Sequence, residues 1–238
     1  MRRWLILTFL LLCSLLSPVF AGHIHGHVTS TGASVAYESS QSESSTNSTV
    51  TYTALNFGTA ASNRVLVVIA CARAVVGGDI SSVTFVTGSI SASEVSGTFV
   101  NPNGQGLCSI WYASVPTGTS GNITVVYPGT TIRTAISVYQ VLTSTPTPSA
   151  GTVTSLTSGT TVNKSITVPS NGVGVVGLYY FGLGTMSFTN ATLDNSATVA
   201  STNTFAVGHI TGTGSVTVTG STTGSANEII MPLASWGP

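Results

Sequence analysis

Three histidines near the N-terminus have the residue type and the spacing that bind a metal ion. His23, His25 and His27 alternate with other residues, so their imidazoles lie on one face of an extended segment. Neutral imidazole nitrogens suit zinc, copper or nickel. We expect a flexible tail that needs no cofactor and that holds a transition metal weakly or not at all.

Two cysteines and two pairs of adjacent aromatic residues are the other side chains with specific chemistry. Cys71 and Cys108 each lie in a predicted strand, so they form either a disulfide or two buried free thiols. Exposed aromatic rings would form a platform on which sugars stack. Adjacent residues of a strand point to opposite faces, so at least one ring of each pair is expected in the core. The candidate ligand-binding residues are Trp111, Tyr112, Tyr179 and Tyr180.

Ionisable residues are too few and too scattered to specify a reaction. Charged residues make up 5% of the chain. A glycosidase needs two carboxylates held roughly 5 to 10 Å apart, and nothing in the spacing of the acids pairs them. The sequence contains no Gly-x-Ser-x-Gly nucleophile elbow and no phosphate-binding loop. His209 lies on an apolar strand face and is predicted to be a hydrogen-bonded core residue. The sequence therefore predicts no catalytic residue.

The first 21 residues have the pattern of a cleavable signal peptide. Arg2 and Arg3 form a positive start, residues 4–16 are apolar, and Ala21 precedes the expected cut. The mature protein is therefore expected to be secreted or displayed on a cell surface, with no membrane segment after cleavage. Its low charge argues against nucleic acid as a partner, because nucleic-acid binding needs a basic surface.

The elements that must position these residues are strands. Short apolar or alternating segments follow one another closely, and Gly, Pro and Asn occupy nearly every gap. The continuous apolar run at residues 65–72 is typical of a central strand that is buried on both faces. No segment has a helical period. These patterns predict an all-β fold, a single antiparallel jelly-roll-like β-sandwich of about a dozen strands.

The chain is expected to have three parts. Residues 1–21 are the signal peptide, residues 22–48 form a flexible segment rich in His, Ser and Thr, and residues 49–238 form the sandwich. A segment with two prolines at residues 143–150 is interpreted as a surface crossover within one sandwich. The alternative is a connection between two smaller sandwiches. No fixed-period repeat is visible in the sequence.

Five segments carry a family resemblance, namely residues 57–73, 82–84, 208–209, 214–219 and 234–238. Together they resemble a group of poorly characterised β-sandwich proteins of tailed phages, prophages and environmental bacteria. The resemblance implies a jelly-roll-like sandwich with a role on a particle or a cell surface, and it carries over no catalytic residue. The signal peptide favours a secreted or surface-displayed relative over a component of the virion.

A shorter resemblance concerns residues 25–28, His-Gly-His-Val. This segment resembles the mature N-terminus of copper-dependent lytic polysaccharide monooxygenases. The resemblance implies copper bound by the N-terminal amine and the ring of His25, after cleavage just before that residue. It also requires a second histidine inside the domain, for which His209 is available.

Three functions of different classes follow from these observations. The first is a non-enzymatic, exported structural or adhesin-like protein on a surface or a particle, with loops presented to a glycan or a surface protein. Assembly into a homo-oligomer or a particle fits this class. The second is a secreted carbohydrate-binding module. The third is a secreted polysaccharide-active enzyme, copper-dependent or hydrolytic, which ranks last because ionisable groups are scarce.

Overall fold

Strands are the only regular secondary structure in the part of the chain that the structure describes. The structure is a computed structural model, and it describes residues 32–44, 46–74, 77–86, 89–102, 104–200 and 202–238. The predicted signal peptide and the histidines His23, His25 and His27 lie outside these ranges. Within them, no helix is long and apolar enough to cross a membrane.

Seventeen strands form in the described residues, nine before the proline-containing segment and eight after it. The first nine are β1 (Ser34–Glu43), β2 (Thr49–Asn56), β3 (Arg64–Ala74), β4 (Ser82–Phe85), β5 (Ile90–Ser91), β6 (Ser93–Glu94), β7 (Gly106–Ser114), β8 (Ser120–Val126) and β9 (Thr131–Leu142). The other eight are β10 (Ala150–Leu156), β11 (Gly159–Val168), β12 (Val173–Phe181), β13 (Met186–Thr189), β14 (Ala191–Val199), β15 (Asn203–Ile210), β16 (Gly214–Ala226) and β17 (Ile229–Trp236).

These strands form four antiparallel sheets that stack as four layers. Sheet A has the strand order β1-β9-β3-β7-β6, sheet B β2-β8-β4-β5, sheet C β10-β17-β12-β15-β14 and sheet D β11-β16-β13. Three hydrophobic clusters fill the spaces between sheets B and A, A and C, and C and D. The layers therefore follow in the order B, A, C, D. The predicted all-β, antiparallel, sandwich-like fold is confirmed, with four sheets in place of the two of a single sandwich.

The two inner sheets explain the continuous apolar runs of the sequence. In β3, Val68 packs in the cluster toward sheet B and Val67 in the cluster toward sheet C. In β12, Val175 faces sheet A and Val176 faces sheet D. A strand that is covered on both faces needs apolar residues at successive positions. The run at residues 65–72 accordingly belongs to a strand that lies between two neighbours, β9 and β7, in the middle of sheet A.

The two groups of strands have the same topology. Replacing β1, β9, β3, β7 and β6 with β10, β17, β12, β15 and β14 converts the order of sheet A into that of sheet C. In the same way, β2, β8 and β4 of sheet B correspond to β11, β16 and β13 of sheet D. Strand β5 has no counterpart. Residues 62–68 read Ser-Asn-Arg-Val-Leu-Val-Val, and residues 170–176 read Ser-Asn-Gly-Val-Gly-Val-Val. The chain thus contains two structural repeats, and the loops between corresponding strands differ in length.

The proline-containing segment connects these two repeats. It leads from β9 of sheet A to β10 of sheet C, so it joins two sandwiches and does not cross over within one. The Thr143 hydroxyl donates a hydrogen bond to the Gly237 carbonyl at 2.7 Å, and the Trp236 ring nitrogen donates one to the Pro146 carbonyl at 3.2 Å. The connection is therefore held against the C-terminal strand.

Strand β1 lies inside the segment 22–48 that the composition predicts to be flexible. It pairs along β9 and forms one edge of sheet A. The Tyr37 ring packs edge-on against the Tyr139 ring, with centroids 5.6 Å apart, and the Gln41 amide donates to the Thr53 carbonyl at 2.7 Å. Pairing with an existing strand stabilises a polar sequence that has too few apolar residues to pack alone. Among the described residues, the first strand therefore begins at Ser34, inside the segment predicted to be flexible.

Candidate functional site

The aromatic residues proposed as a sugar-stacking platform are packed in the interior. Trp111 is 7% exposed, Tyr179 is 0% and Tyr180 is 1%. Tyr112 is half-buried, and its ring packs edge-on against Trp236 with centroids 6.4 Å apart. Trp111, Tyr179 and Tyr180 are covered because β7 and β12 belong to the inner sheets A and C, each of which packs against another sheet on both sides. These four residues therefore form no exposed platform.

The two cysteines meet in sheet A. Cys71 of β3 lies directly opposite Cys108 of β7, and the two sulfurs form a disulfide. Both residues are buried in the cluster between sheets A and C. The structure places the two sulfurs in bonding contact, so of the two alternatives left by the sequence we expect the bridge.

His209 of β15 forms a hydrogen-bonded pair with Asp194 of β14. Its Nδ1 atom lies 3.0 Å from both carboxylate oxygens, and the Tyr139 hydroxyl from sheet A donates to the same carboxylate at 2.9 Å. Burial, and then the charge of Asp194, raise the pKa of Tyr139. In the described part of the chain, no hydroxyl bonds the other ring nitrogen of His209. The arrangement ties sheet C to sheet A and lacks the nucleophile of a catalytic triad.

Arg64 is fully buried at the start of β3. Its guanidinium donates to five backbone carbonyls, those of Phe57, Gly58, Val115, Thr117 and Gly118, at 2.6 to 3.3 Å. All of these acceptors belong to the loops that flank β3 and β7. The side chain therefore holds loops together and is not available to a ligand carboxylate.

Two acids, Asp79 and Glu94, contact each other through their carboxyl groups. Burial, and then the neighbouring Asp79 charge, raise the pKa of Glu94 to about 7, and burial also raises the pKa of Asp79. A hydrolytic pair needs a sugar oxygen or a water molecule between its two carboxyl groups. Asp79 and Glu94 instead act on each other's pKa through a mutual hydrogen bond. Among the residues that the structure describes, no group of three or more His, Cys, Asp or Glu residues could hold a metal ion.

A small groove lies between β1 and β9 on one side and β14 and β15 on the other. Its volume is about 210 Å³, below the roughly 300 to 1,000 Å³ of ordinary ligand pockets. Ser40 at the groove accepts hydrogen bonds from the Asn195 amide at 2.6 Å and from the Tyr37 hydroxyl at 2.9 Å. The hydrogen bond between Asn195 and Ser40 thus joins sheets C and A at the groove.

The outer surface of sheet D presents an ordered set of polar groups to solvent. Its strands alternate buried apolar residues with outward Ser, Thr or Asn residues. Register pairing aligns these residues in ranks across the sheet, with a spacing of about 4.8 Å across strands and about 6.8 Å along them. We call this surface hydroxyl face D; its residues are Thr161, Asn163, Ser165, Thr167, Ser187, Thr189, Ser215, Thr217, Thr219 and Ser221.

Hydrogen bonds within hydroxyl face D orient several of its side chains. The Ser165 and Thr217 hydroxyls are 2.7 Å apart, and those of Thr161 and Ser221 are 3.4 Å apart. Each hydroxyl has one proton to donate and two lone pairs that accept, so hydrogen-bonding capacity remains for a ligand. Lys164 is the one charged residue in the three strand sequences, and it lies on the same, inward side of β11 as Val162 and Ile166. The face is therefore neutral and can both donate and accept hydrogen bonds.

Comparison with models of protein families, with curated proteins and with solved structures found no match to this chain. The relationship to phage and environmental sandwich proteins accordingly stays a prediction from the segments quoted above.

Hydroxyl face D was not among the residues proposed from the sequence. Its signal is present in the strand sequences, where β16 begins Gly-Ser-Val-Thr-Val-Thr and β11 ends Asn-Lys-Ser-Ile-Thr-Val. Alternation of this kind shows that each strand has one polar side. It does not show that three such sides lie in register next to one another, because strand pairing is decided by the fold.

Proposed function

We propose that this protein is an exported, non-enzymatic, adhesin-like protein of a cell surface or a particle, which binds a neutral glycan through hydroxyl face D. The observation that carries the proposal is the array of ten Ser, Thr and Asn side chains on that face, with no charged residue among them. A glycan is recognised largely through hydroxyl groups that donate and accept hydrogen bonds. The face offers the same chemistry on a rigid sheet.

Because hydroxyl face D carries no charge, it favours neutral glycans over charged ones. A polyanionic glycan is bound through Lys and Arg side chains, which hydroxyl face D does not present. A neutral glycan requires no counter-charge, and its binding to the face leaves no ion desolvated and unpaired. Neutral polysaccharides of hexoses or N-acetylhexosamines are therefore the expected ligands.

The placement of ionisable groups supports a binding function over catalysis. Arg64 is bonded to backbone carbonyls, Asp194 to His209 and Tyr139, and Asp79 to Glu94. Catalysis relies on titratable groups that face a substrate site in a defined geometry. The groups named here are engaged with their own chain. The buried aromatic rings, in turn, weigh against the aromatic type of carbohydrate-binding module.

Binding to insoluble cellulose, chitin and a neutral α-glucan tests the proposal. The exported protein, purified from culture supernatant, is mixed with each polymer, and the free protein is measured after sedimentation. The variant Thr217→Val with Thr219→Val keeps the shape of the face and removes two hydroxyls. Two lost hydrogen bonds of about 0.5 to 1.5 kcal/mol each lower the affinity by about tenfold or more.

The matched control is Thr130→Val, the same change at an exposed loop position away from sheet D. It is expected to bind like the wild type, and alginate, a polyanion, is expected to bind neither protein well. Equal binding by the wild type and the double variant, or no binding of the wild type to any neutral polymer, would disprove the assignment of the face.

A further inference from the structure

The repeated topology gives sheet B a surface that corresponds to hydroxyl face D. Thr51 of β2 pairs with Thr124 of β8, Thr124 pairs with Thr84 of β4, and Thr84 pairs with Ser91 of β5. One rank of hydroxyl side chains therefore crosses all four strands of the sheet. A second rank holds Thr49 and Ser82 on either side of Val126. We call the outer surface of sheet B hydroxyl face B; the residues used below are Thr49, Thr51, Ser82, Thr84, Ser91 and Thr124.

Hydroxyl face B shares the chemistry of hydroxyl face D. The four strand sequences of sheet B contain no Lys, Arg, Asp or Glu. In sheet B the Thr51 and Thr124 hydroxyls are 2.9 Å apart. In sheet D the Ser165 and Thr217 hydroxyls are 2.7 Å apart. Both pairs join corresponding strands, β2 with β8 and β11 with β16. The two halves thus have the same kind of outer surface, although their sequences differ.

The order of the layers places the two faces on opposite sides of the molecule. Sheet A is covered by sheet B on one side and by sheet C on the other, and sheet C is covered in turn by sheet D. Packed sheets are about 10 Å apart, so the two outer sheets are separated by roughly 30 Å. The faces point in opposite directions, and one straight polymer chain cannot lie on both.

We infer that the protein is divalent, with hydroxyl face B as a second site for the same class of ligand, a neutral polysaccharide. This inference rests on the function proposed for hydroxyl face D. One molecule then holds two polysaccharide chains on opposite sides and crosslinks them. The inter-sandwich interface, which is apolar and includes Val67, Val175 and Trp236, keeps the two sites at a fixed separation.

Divalency also changes how strongly the protein stays on a dense surface. When one face is bound, the other face meets a second chain at a high effective concentration, provided that a chain lies within reach on that side. A layer of loosely packed polysaccharide, into which the molecule can enter, satisfies this condition. A flat crystalline surface does not, because only one face can touch it. We therefore expect slower release from hydrated polysaccharide gels than from crystalline particles of the same polymer.

A two-step capture assay tests the inference. A plate is coated with the neutral polysaccharide that binds best, the protein is added, and the plate is washed. The protein that remains is measured with an antibody, and a soluble fluorescent form of the same polysaccharide is then added. The wild type is expected to retain both protein and fluorescent polymer. The face B variant is Thr51→Val with Thr84→Val, the face D variant is Thr217→Val with Thr219→Val, and Thr130→Val is the control.

Each single-face variant is expected to stay on the coated plate in a smaller amount than the wild type, because it attaches through one face instead of two. Per molecule retained, it is expected to capture at least tenfold less fluorescent polymer than the wild type. The control is expected to capture as much as the wild type. If the wild type stays on the plate and captures no polymer, or if the face B variant captures as much as the wild type, the divalent arrangement is refuted and hydroxyl face D keeps its assignment. If the wild type does not bind the coating at all, the proposed function fails as well.

Discussion

Thr124 of β8 and Thr217 of β16 lie in corresponding strands of the two halves of the chain. Each lies on the outward side of an outer sheet, and each hydroxyl contacts a hydroxyl of the neighbouring strand, Thr51 at 2.9 Å and Ser165 at 2.7 Å. Their surroundings are also alike, Ile-Thr-Val in one strand and Val-Thr-Val in the other. The relationship links the repeated topology to the surfaces that are proposed to bind glycan.

Replacement of Arg64 is expected to be strongly destabilising. The variant Arg64→Ala leaves a cavity and deprives five carbonyl groups of their donor, so the free energy of unfolding falls by about 3 to 5 kcal/mol. Arg64→Lys is expected to lose less, because an ammonium group reaches some of these acceptors. Urea unfolding measures the stability of both Arg64 variants. The control is Lys164→Ala, which removes a positive charge from the edge strand β11. A loss below about 1 kcal/mol for Arg64→Ala would contradict this role.

Removal of the disulfide is expected to lower stability by a moderate amount. The bridge between Cys71 and Cys108 spans 37 residues of sequence, and closing a loop of that length in the unfolded chain is worth about 3 to 4 kcal/mol. The double variant Cys71→Ala with Cys108→Ala should therefore unfold at a lower urea concentration. Thiol titration of the denatured wild type provides the check on the bridge itself. Two reactive thiols at these positions without reductant would show that the bridge does not form.

The pair formed by Asp79 and Glu94 is expected to make stability depend on pH. The pKa of Glu94 is about 7 in the folded protein and 4.5 ordinarily, so the folded state binds more protons between these values. Stability contributed by this group is therefore present below pH 4.5 and is lost as the pH rises through about 7. Glu94→Gln should remove this slope and gain about 1 kcal/mol over the wild type at pH 8, after allowance for solvent screening.

Urea unfolding at pH 5 and pH 8 measures the effect of the acid pair. Glu43→Gln removes the same charge at an exposed position and is expected to keep the slope of the wild type. An unchanged slope in Glu94→Gln would show that the two carboxyl groups are not coupled in solution.

The hydrogen bond from Tyr139 to Asp194 is expected to stabilise the contact between the two sandwiches. Tyr139→Phe removes one buried hydrogen bond and should cost about 1 kcal/mol, whereas Asp194→Ala leaves the Tyr139 hydroxyl without an acceptor and should cost about 2 to 3 kcal/mol. Urea unfolding and amide hydrogen exchange in β9 and β15 report the change. Tyr112→Phe is the control, because no hydrogen bond of its hydroxyl is found within the described ranges. Equal losses in Tyr139→Phe and Tyr112→Phe would contradict the prediction.

Much of the fold class could be predicted from the sequence. Alternation of apolar and hydroxyl residues in segments such as 214–219 identifies strands with one buried side, and the apolar run at 65–72 identifies a strand with two. Both signals are local, because side chains of a strand alternate between faces whatever the neighbouring strand is. The partner of each face is not local information. For this reason the sequence indicated an antiparallel sandwich and did not indicate four layers.

The remaining features depend on contacts between residues far apart in the chain. Ser34–Glu43 is a strand only because β9 offers its edge, and Trp111 and Tyr180 are buried only because a further sheet covers each side of sheets A and C. The sequence by itself determined the strand periodicity, the neutral composition and the low number of ionisable groups, since these are properties of individual residues and short segments. The tertiary structure alone decided the repeat, the burial of the aromatic rings and the alignment of hydroxyl groups into two opposed faces, because pairing register and layer order arise from long-range packing.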